Sequence, residues 1–233
     1  MNKQLLLFIL TLLVSFVTAK ASPNAKIFTV VDAKQREVHK VYLNSKNIVY
    51  LTVGKNAQID FQGLEFKTND PSIQINYIAR EKKLEIIPLA TKVVLQVIDN
   101  FLKKQIDEIE LEVIMIPFPA LQVKPEPANA KTDQYTLHLL ITPDADFSIL
   151  APQDDEVLCN AFAFMLKEDG KMLGEKKVFI TKKNKNDFVL NIPKDNENPS
   201  NKVLLTLKEF SRINYKKGKT FFSYEWSETI TIE

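Results

Sequence analysis

Only one cysteine, Cys159, occurs in the 233 residues. No intrachain disulfide can form, and the fold has to be held by its core. Glycine is nearly as scarce, with five residues, so most turns must be built from Asn, Asp and Pro. Only two histidines are present, His39 and His138. Histidine is the side chain most often used to move protons near neutral pH. Here His39 sits among charges in REVHKV and His138 inside the alternating stretch TLHLLI, and both read as solvated or strand-face residues. Neither a G-x-S-x-G nor an H-E-x-x-H motif occurs. Cys159 follows Val157 and Leu158, with none of the positive neighbours that stabilise a thiolate, so it reads as a buried strand cysteine. The expectation is a protein that is not an enzyme, with no catalytic residues and no cofactor.

Long apolar runs are also lacking, apart from residues 5–17 (LLLFILTLLVSFV) near the N-terminus. Lys3 precedes this run and Ala19 and Ala21 follow it, the layout of a secretory signal peptide over residues 1–21 with cleavage after Ala21. The run falls short of the ~20 residues that span a bilayer, and no lipidation cysteine follows. The expected location is the periplasm or the exterior, with no membrane span after signal cleavage. Excess charge of one sign is missing too. Removing Lys3 and Lys20 lowers the 31 basic residues to 29, equal to the 29 acidic ones. A neutral chain lacks the electrostatic footprint of a nucleic-acid binder. The basic runs at 176–185 and 214–219 flank turns and read as solvated.

What is present is period-two alternation. Ile73, Ile75 and Tyr77 oppose Gln74 and Asn76, and Ile109, Leu111, Val113 and Met115 oppose Glu110 and Glu112, the pattern of half-buried strands. Similar runs are VHKVYL, NIVYLTV, KLEIIPL, TKVVLQVID, QYTLHLLI, AFAFML, KKVFIT, DFVLNI, NKVLLTLKEF and ETITIE. EDGK (168–171) and NYKKGK (214–219) read as hairpin turns. No helical stripe stands out after residue 21, so the fold class is all-β, most naturally sandwiches. Within LEVIMIPFPALQVKPEP (111–127), Pro117 and Pro119 lack amide donors and favour extended neighbours, so they cannot lie in the middle of a central strand. Pro117, Phe118 and Pro119 therefore read as a stiff junction between domains at 22–117 and 118–233.

With that division, the chain resembles the C-terminal periplasmic β-domains of the GldM/PorM family, a gliding-motility and type IX secretion component of Bacteroidota. The resemblance is carried by VYLNSKNIVYLTVGKNAQIDF, KLEIIPLATKVVLQVID, IELEVIMIP, the IPFPALQV junction, VLCNAFAFMLKEDGK and the closing stretch VLLTLKEFSRINYKKGKTFFSYEWSETITI. It implies two tandem Ig-like β-sandwich domains, similar to the family's penultimate and C-terminal domains. It does not extend to the family's membrane helix or helical region, so motor activity is not implied. The implied role is a non-catalytic interaction or scaffold protein of the envelope, with secretion or gliding components, or a second copy in a homodimer, as partners.

Two residue groups invite chemistry. Asp144, Asp146, Asp154, Asp155 and Glu156 crowd the loops around FSILAP; carboxylate-rich loops suit calcium, but the spacing matches no EF-hand and the expectation is a solvated loop and no metal. Phe222, Tyr224 and Trp226 alternate on one strand face. They form either a binding platform for sugars or proteins, which supports an alternative role in carbohydrate or peptidoglycan binding, or core packing against Phe162 and Phe164.

Overall fold

The computed structural model describes residues 26–55, 58–127, 132–167, 169–194, 201–221 and 225–232. The signal-peptide expectation for residues 1–21 falls outside them, as do Phe222 and Tyr224.

The first half holds β1 (Phe28–Val31), β2 (Lys40–Tyr42), β3 (Asn47–Val53), β4 (Leu64–Lys67), β5 (Ile73–Ile78), β6 (Lys83–Pro88), β7 (Lys92–Asp99) and β8 (Lys104–Ile114). They form two sheets, ordered β1-β3-β6-β5 and β2-β8-β7-β4. Alternation puts one face of each strand inside: Val49 and Leu51, Leu84 and Ile86, Val93, Leu95 and Val97, and Ile109 and Leu111 are all buried in one cluster. Each fully buried side chain of this size contributes about 1.5–3 kcal/mol. The chain leaves β1 for the other sheet through a turn at Asp32–Arg36. Gln35 there is left-handed at φ 62°, and β2 then pairs parallel to β8.

The second half holds β9 (Ala120–Pro125), β10 (Gln134–Thr142), helix α1 (Ala145–Leu150), β11 (Glu156–Leu166), β12 (Met172–Lys177), β13 (Phe179–Asn184), β14 (Asp187–Pro193), β15 (Lys202–Ile213), β16 (Lys219–Phe221) and β17 (Trp226–Thr231). One sheet is ordered β13-β14-β10-β9; the other is β12-β11-β15-β16, with β17 also on β15. Both halves thus repeat one strand order, in which the first, second, fifth and fourth main strands of the sandwich form a sheet that packs on the others. That ABED-on-CFG arrangement defines an immunoglobulin-like sandwich, and the fold is all-β with two such sandwiches in tandem. The first adds a short strand parallel to its last one; the second divides its fourth strand between the sheets as β12 and β13 and splits its last strand into β16 and β17.

Between Ile114 and Ala120 no strand is assigned. Ile116 packs against the first core and Phe118 against the second, its ring 5.1 Å from that of Phe210. Pro117 is half-buried and Pro119 buried. Among the described residues no strand before this stretch pairs with one after it.

Three sequence expectations are corrected. KKVFIT reads as one strand, but Val178 divides it: β12 bonds to β11 and β13 to β14, so the chain steps between sheets at the sandwich edge. No helical stripe stands out after residue 21, yet Ala145–Leu150 forms α1 amid the loops around FSILAP, its six residues too short to display such a stripe. Phe162 and Phe164 read as core, whereas Ala161, Ala163 and Met165 face inward. The bulk comes instead from Phe188 and Phe210, and Phe162 lies half-buried outside with the Lys208 Nζ 5.2 Å from its ring.

Candidate functional site

The acidic stretch 144–156 makes the joint between the sandwiches. Asp144 begins it: its Oδ1 accepts the Asp146 and Phe147 amides at 3.0 and 2.9 Å, capping α1. This satisfies first-turn donors that a short helix would otherwise leave open. The cap aims Phe147 and Leu150 away from their own sandwich. Both, with Ala151, are buried in the core cluster of the first one. The Phe147 ring meets Tyr42 edge-on at 4.9 Å and 89°, and the Tyr42 hydroxyl donates to Asp144 Oδ1 at 3.3 Å. Burial first, and then the nearby Asp144 charge, push the Tyr42 phenol far above its ordinary range.

Asp154 lies deepest, at 0% exposure. Its Oδ1 accepts Arg212 Nη1 and the Tyr215 amide, both at 2.8 Å, and its Oδ2 accepts the Lys46 amide of the first sandwich at 2.9 Å. Arg212, 1% exposed, also donates from Nη2 to the Asn44 carbonyl at 3.3 Å. Its guanidinium carbon lies 5.8 Å from the Phe147 ring centre. Burial lowers the Arg212 pKa, and the Asp154 charge opposes that shift. The pair is charged, desolvated and hydrogen-bonded on both sides, so breaking one member is far costlier than replacing both.

The turn that receives this pair explains why Asn recurs in VYLNSKNIVYL. Asn44 adopts φ 51°, a conformation Asn tolerates. The buried Asn47 side chain accepts the Tyr42 amide at 2.7 Å and donates to the Tyr42, Ser45 and Ile86 carbonyls. The turn is thereby rigid, with the Asn44 carbonyl and Lys46 amide directed to the second sandwich. At the rim, Arg36 bonds Asp32 and Asp146 at 2.7 and 2.8 Å. The bonds to those two carboxylates raise the Arg36 pKa.

The acidic residues are therefore spoken for, and the solvated-loop expectation is corrected for Asp154. Its two oxygens are taken by a guanidinium and two amides. Asp155 pairs with Lys185 and Glu156 with Lys182. Among the described residues no group of three or more His, Cys, Asp or Glu side chains is arranged to hold a metal.

Arg212 was not legible from the strand pattern. Val203, Leu205 and Leu207 place odd residues inward, and a bulge at Glu209, φ 50°, shifts the phase so that Phe210 and Arg212 follow them. The parity change between Leu207 and Phe210 is the signal that marks it. Opposite the bulge sits Cys159, half-buried, its thiol pushed up to about 11 by burial, against a lowering influence of Lys182. His39 is exposed beside Glu37, and His138 pairs with Glu126. Trp226 opens β17 half-buried against the second core.

No family model matches the chain, and no curated protein matches it. Solved structures do. The tandem immunoglobulin domains of titin align at 9% identity over 89% of this chain and 96% of that one, with a TM-score of 0.31. The Escherichia coli adhesin FdeC aligns at 9% identity over 90% of this chain and 65% of that one, TM-score 0.34. The Yersinia pseudotuberculosis adhesin InvE aligns at 13% identity over 88% and 58%, TM-score 0.26. These are Ig-like structural and adhesin domains. Scores this low carry no functional argument, and the sandwich assignment rests on the strand order described above.

Proposed function

We propose that this chain is a non-catalytic interaction or scaffold protein of the cell envelope, exported to the periplasm or the exterior, and kin to the C-terminal β-domains of the GldM/PorM family. The observation that supports this reading is the joint. Asp154, Arg212 and α1 tie two sandwiches together through buried polar bonds and a shared apolar cluster, which suits a unit that holds partners at a fixed spacing. Chemistry would call instead for a nucleophile, a base and an orienting group in mutual reach. The joint's charged groups are instead consumed by structural bonds. Partners are envelope proteins, secretion or gliding components among them, or a second copy.

Crosslinking in envelope preparations of the producing organism tests the reading. Crosslinks to envelope components or to a second copy are the expected result; recovery of monomer alone refutes it. The carbohydrate-binding alternative gains less support. The Trp226 ring already packs against the second core, which leaves less of its face for stacking on a sugar.

A further inference from the structure

The end of the first sandwich remote from the joint presents an exposed apolar point. β7 and β8 are joined there by a turn in which Phe101 and Leu102 are 91% and 61% exposed. β8, 11 residues long, separates this turn from the joint by roughly 35 Å at ~3.3 Å per residue. The turn is preformed. Asp99 Oδ1 accepts the Phe101 and Leu102 amides at 2.8 and 2.9 Å, and the Asn100 amide donates to the Gly63 carbonyl at 2.9 Å. Lys103 closes it in the left-handed region at φ 54°. Three of the tip's amides are thus bonded before it meets anything, which lowers the cost of carrying this backbone towards an apolar layer.

The rest of this end is basic. The loops at this end carry exposed Lys55, Arg80 and Lys82, the last with its ammonium over the Phe61 ring, and the turn and the start of β8 carry exposed Lys103 and Lys104. Against them stand Asp60, Glu81, which pairs with Lys83, and Asp99 and Asp107, both of which accept backbone amides. The chain also enters here: the Ile27 and Phe28 amides both bond Asp107 Oδ2 on β8 at 2.8 Å, and Phe28 pairs with Val53 at the tip end of β3. The first described residues therefore enter the fold at the same end as the tip.

We propose that the β7–β8 tip is a membrane-surface anchor, seating Phe101 and Leu102 among the headgroups of an anionic lipid leaflet while the surrounding lysines and Arg80 face the phosphates. An apolar point at an end of the sandwich with an excess of cationic side chains fits that surface on both counts. Membrane-surface contact goes beyond the scaffold reading and does not rest on it: vesicle binding can fail while envelope crosslinks persist, and the reverse.

Cosedimentation of the purified exported protein with vesicles tests the anchor, comparing phosphatidylcholine alone with phosphatidylcholine containing phosphatidylglycerol. Expected are binding to the anionic vesicles, loss of binding at high salt, and a drop of about tenfold or more for Phe101→Ser/Leu102→Ser. Lys103→Glu/Lys104→Glu should weaken binding while leaving the apolar point intact. Both pairs are exposed, so thermal melting should match the parent and verify the fold. Absence of binding to anionic vesicles overturns the proposal, as does binding indifferent to both pairs of substitutions. Tip-dependent crosslinking to an envelope protein without vesicle binding also overturns it and assigns the tip to a protein partner.

Discussion

Replacing Asp154 by Ala isolates what holds the two sandwiches together. The substitution leaves the Arg212 guanidinium, 1% exposed, without its counter-ion, and strips the acceptor from the Lys46 and Tyr215 amides. Breaking one member of a buried pair typically costs about 3–5 kcal/mol. Arg212→Met in the same chain removes the stranded charge but leaves the two amides unpaired, at about 1–3 kcal/mol each. The double variant should therefore recover part of the loss, not all of it. Urea unfolding is the assay, with Trp226 as a natural reporter: it is the sole tryptophan and packs on the second core. At an m-value of ~1–3 kcal/mol/M the single variant should shift the midpoint by about 1 M or more. Far-UV circular dichroism, which sees both sandwiches, should coincide with Trp226 fluorescence in the parent and separate from it in Asp154→Ala. A loss under about 1 kcal/mol, or coincident probes in the variant, would refute the coupling argued from these bonds.

Phe147→Ala should cost about 3–5 kcal/mol, because its ring fills the first core and meets Tyr42; calorimetry of the variant checks this. Asp32 gives an acid-side prediction. Burial would raise its carboxyl, but bonds from the Arg36 backbone and guanidinium and the Lys34 amide outweigh that and hold it below the ordinary value. A carboxylate depressed by folding contributes stability that is full above its unfolded value of ~3.9 and is lost as pH falls through the folded one. Melting temperature followed from pH 7 down to 3 should fall less steeply on its acid limb in Asp32→Asn. The Cys159 thiol, raised to about 11 by burial, should react slowly with a disulfide reagent at pH 8 and fully once unfolded. Calcium and chelator should give the same melting curve, since the Asp154 oxygens are bonded within the joint.

Much of the architecture was legible in the residue order for local reasons. Alternation in β3, β7 and β10 sets which side chains face inward whatever lies beyond, because successive strand residues point to opposite faces. Prolines at 117 and 119 bar a ladder for reasons internal to the backbone. KKVFIT misled because alternation says nothing about which sheet a strand joins, and β12 and β13 belong to different ones. Phe162 and Phe164 misled because period-two patterning leaves two phases open wherever both carry apolar residues; small Ala161 and Ala163 took the inner one.

The residue order by itself thus determined an all-β chain of paired sandwiches without an intrachain disulfide, because strand periodicity and turn residues act over a few residues and a single cysteine has no second one to bridge to. The joint belongs to the tertiary structure alone. Asp154 and Arg212 are 58 residues apart, and the amide that completes their site lies 108 residues from Asp154. An aspartate in an acidic loop becomes a buried structural acceptor only when folding brings a guanidinium and two amides to it. The same is true of the β7–β8 tip: Phe-Leu in a turn is unremarkable in sequence, and only the fold leaves it exposed at the basic end where the chain enters.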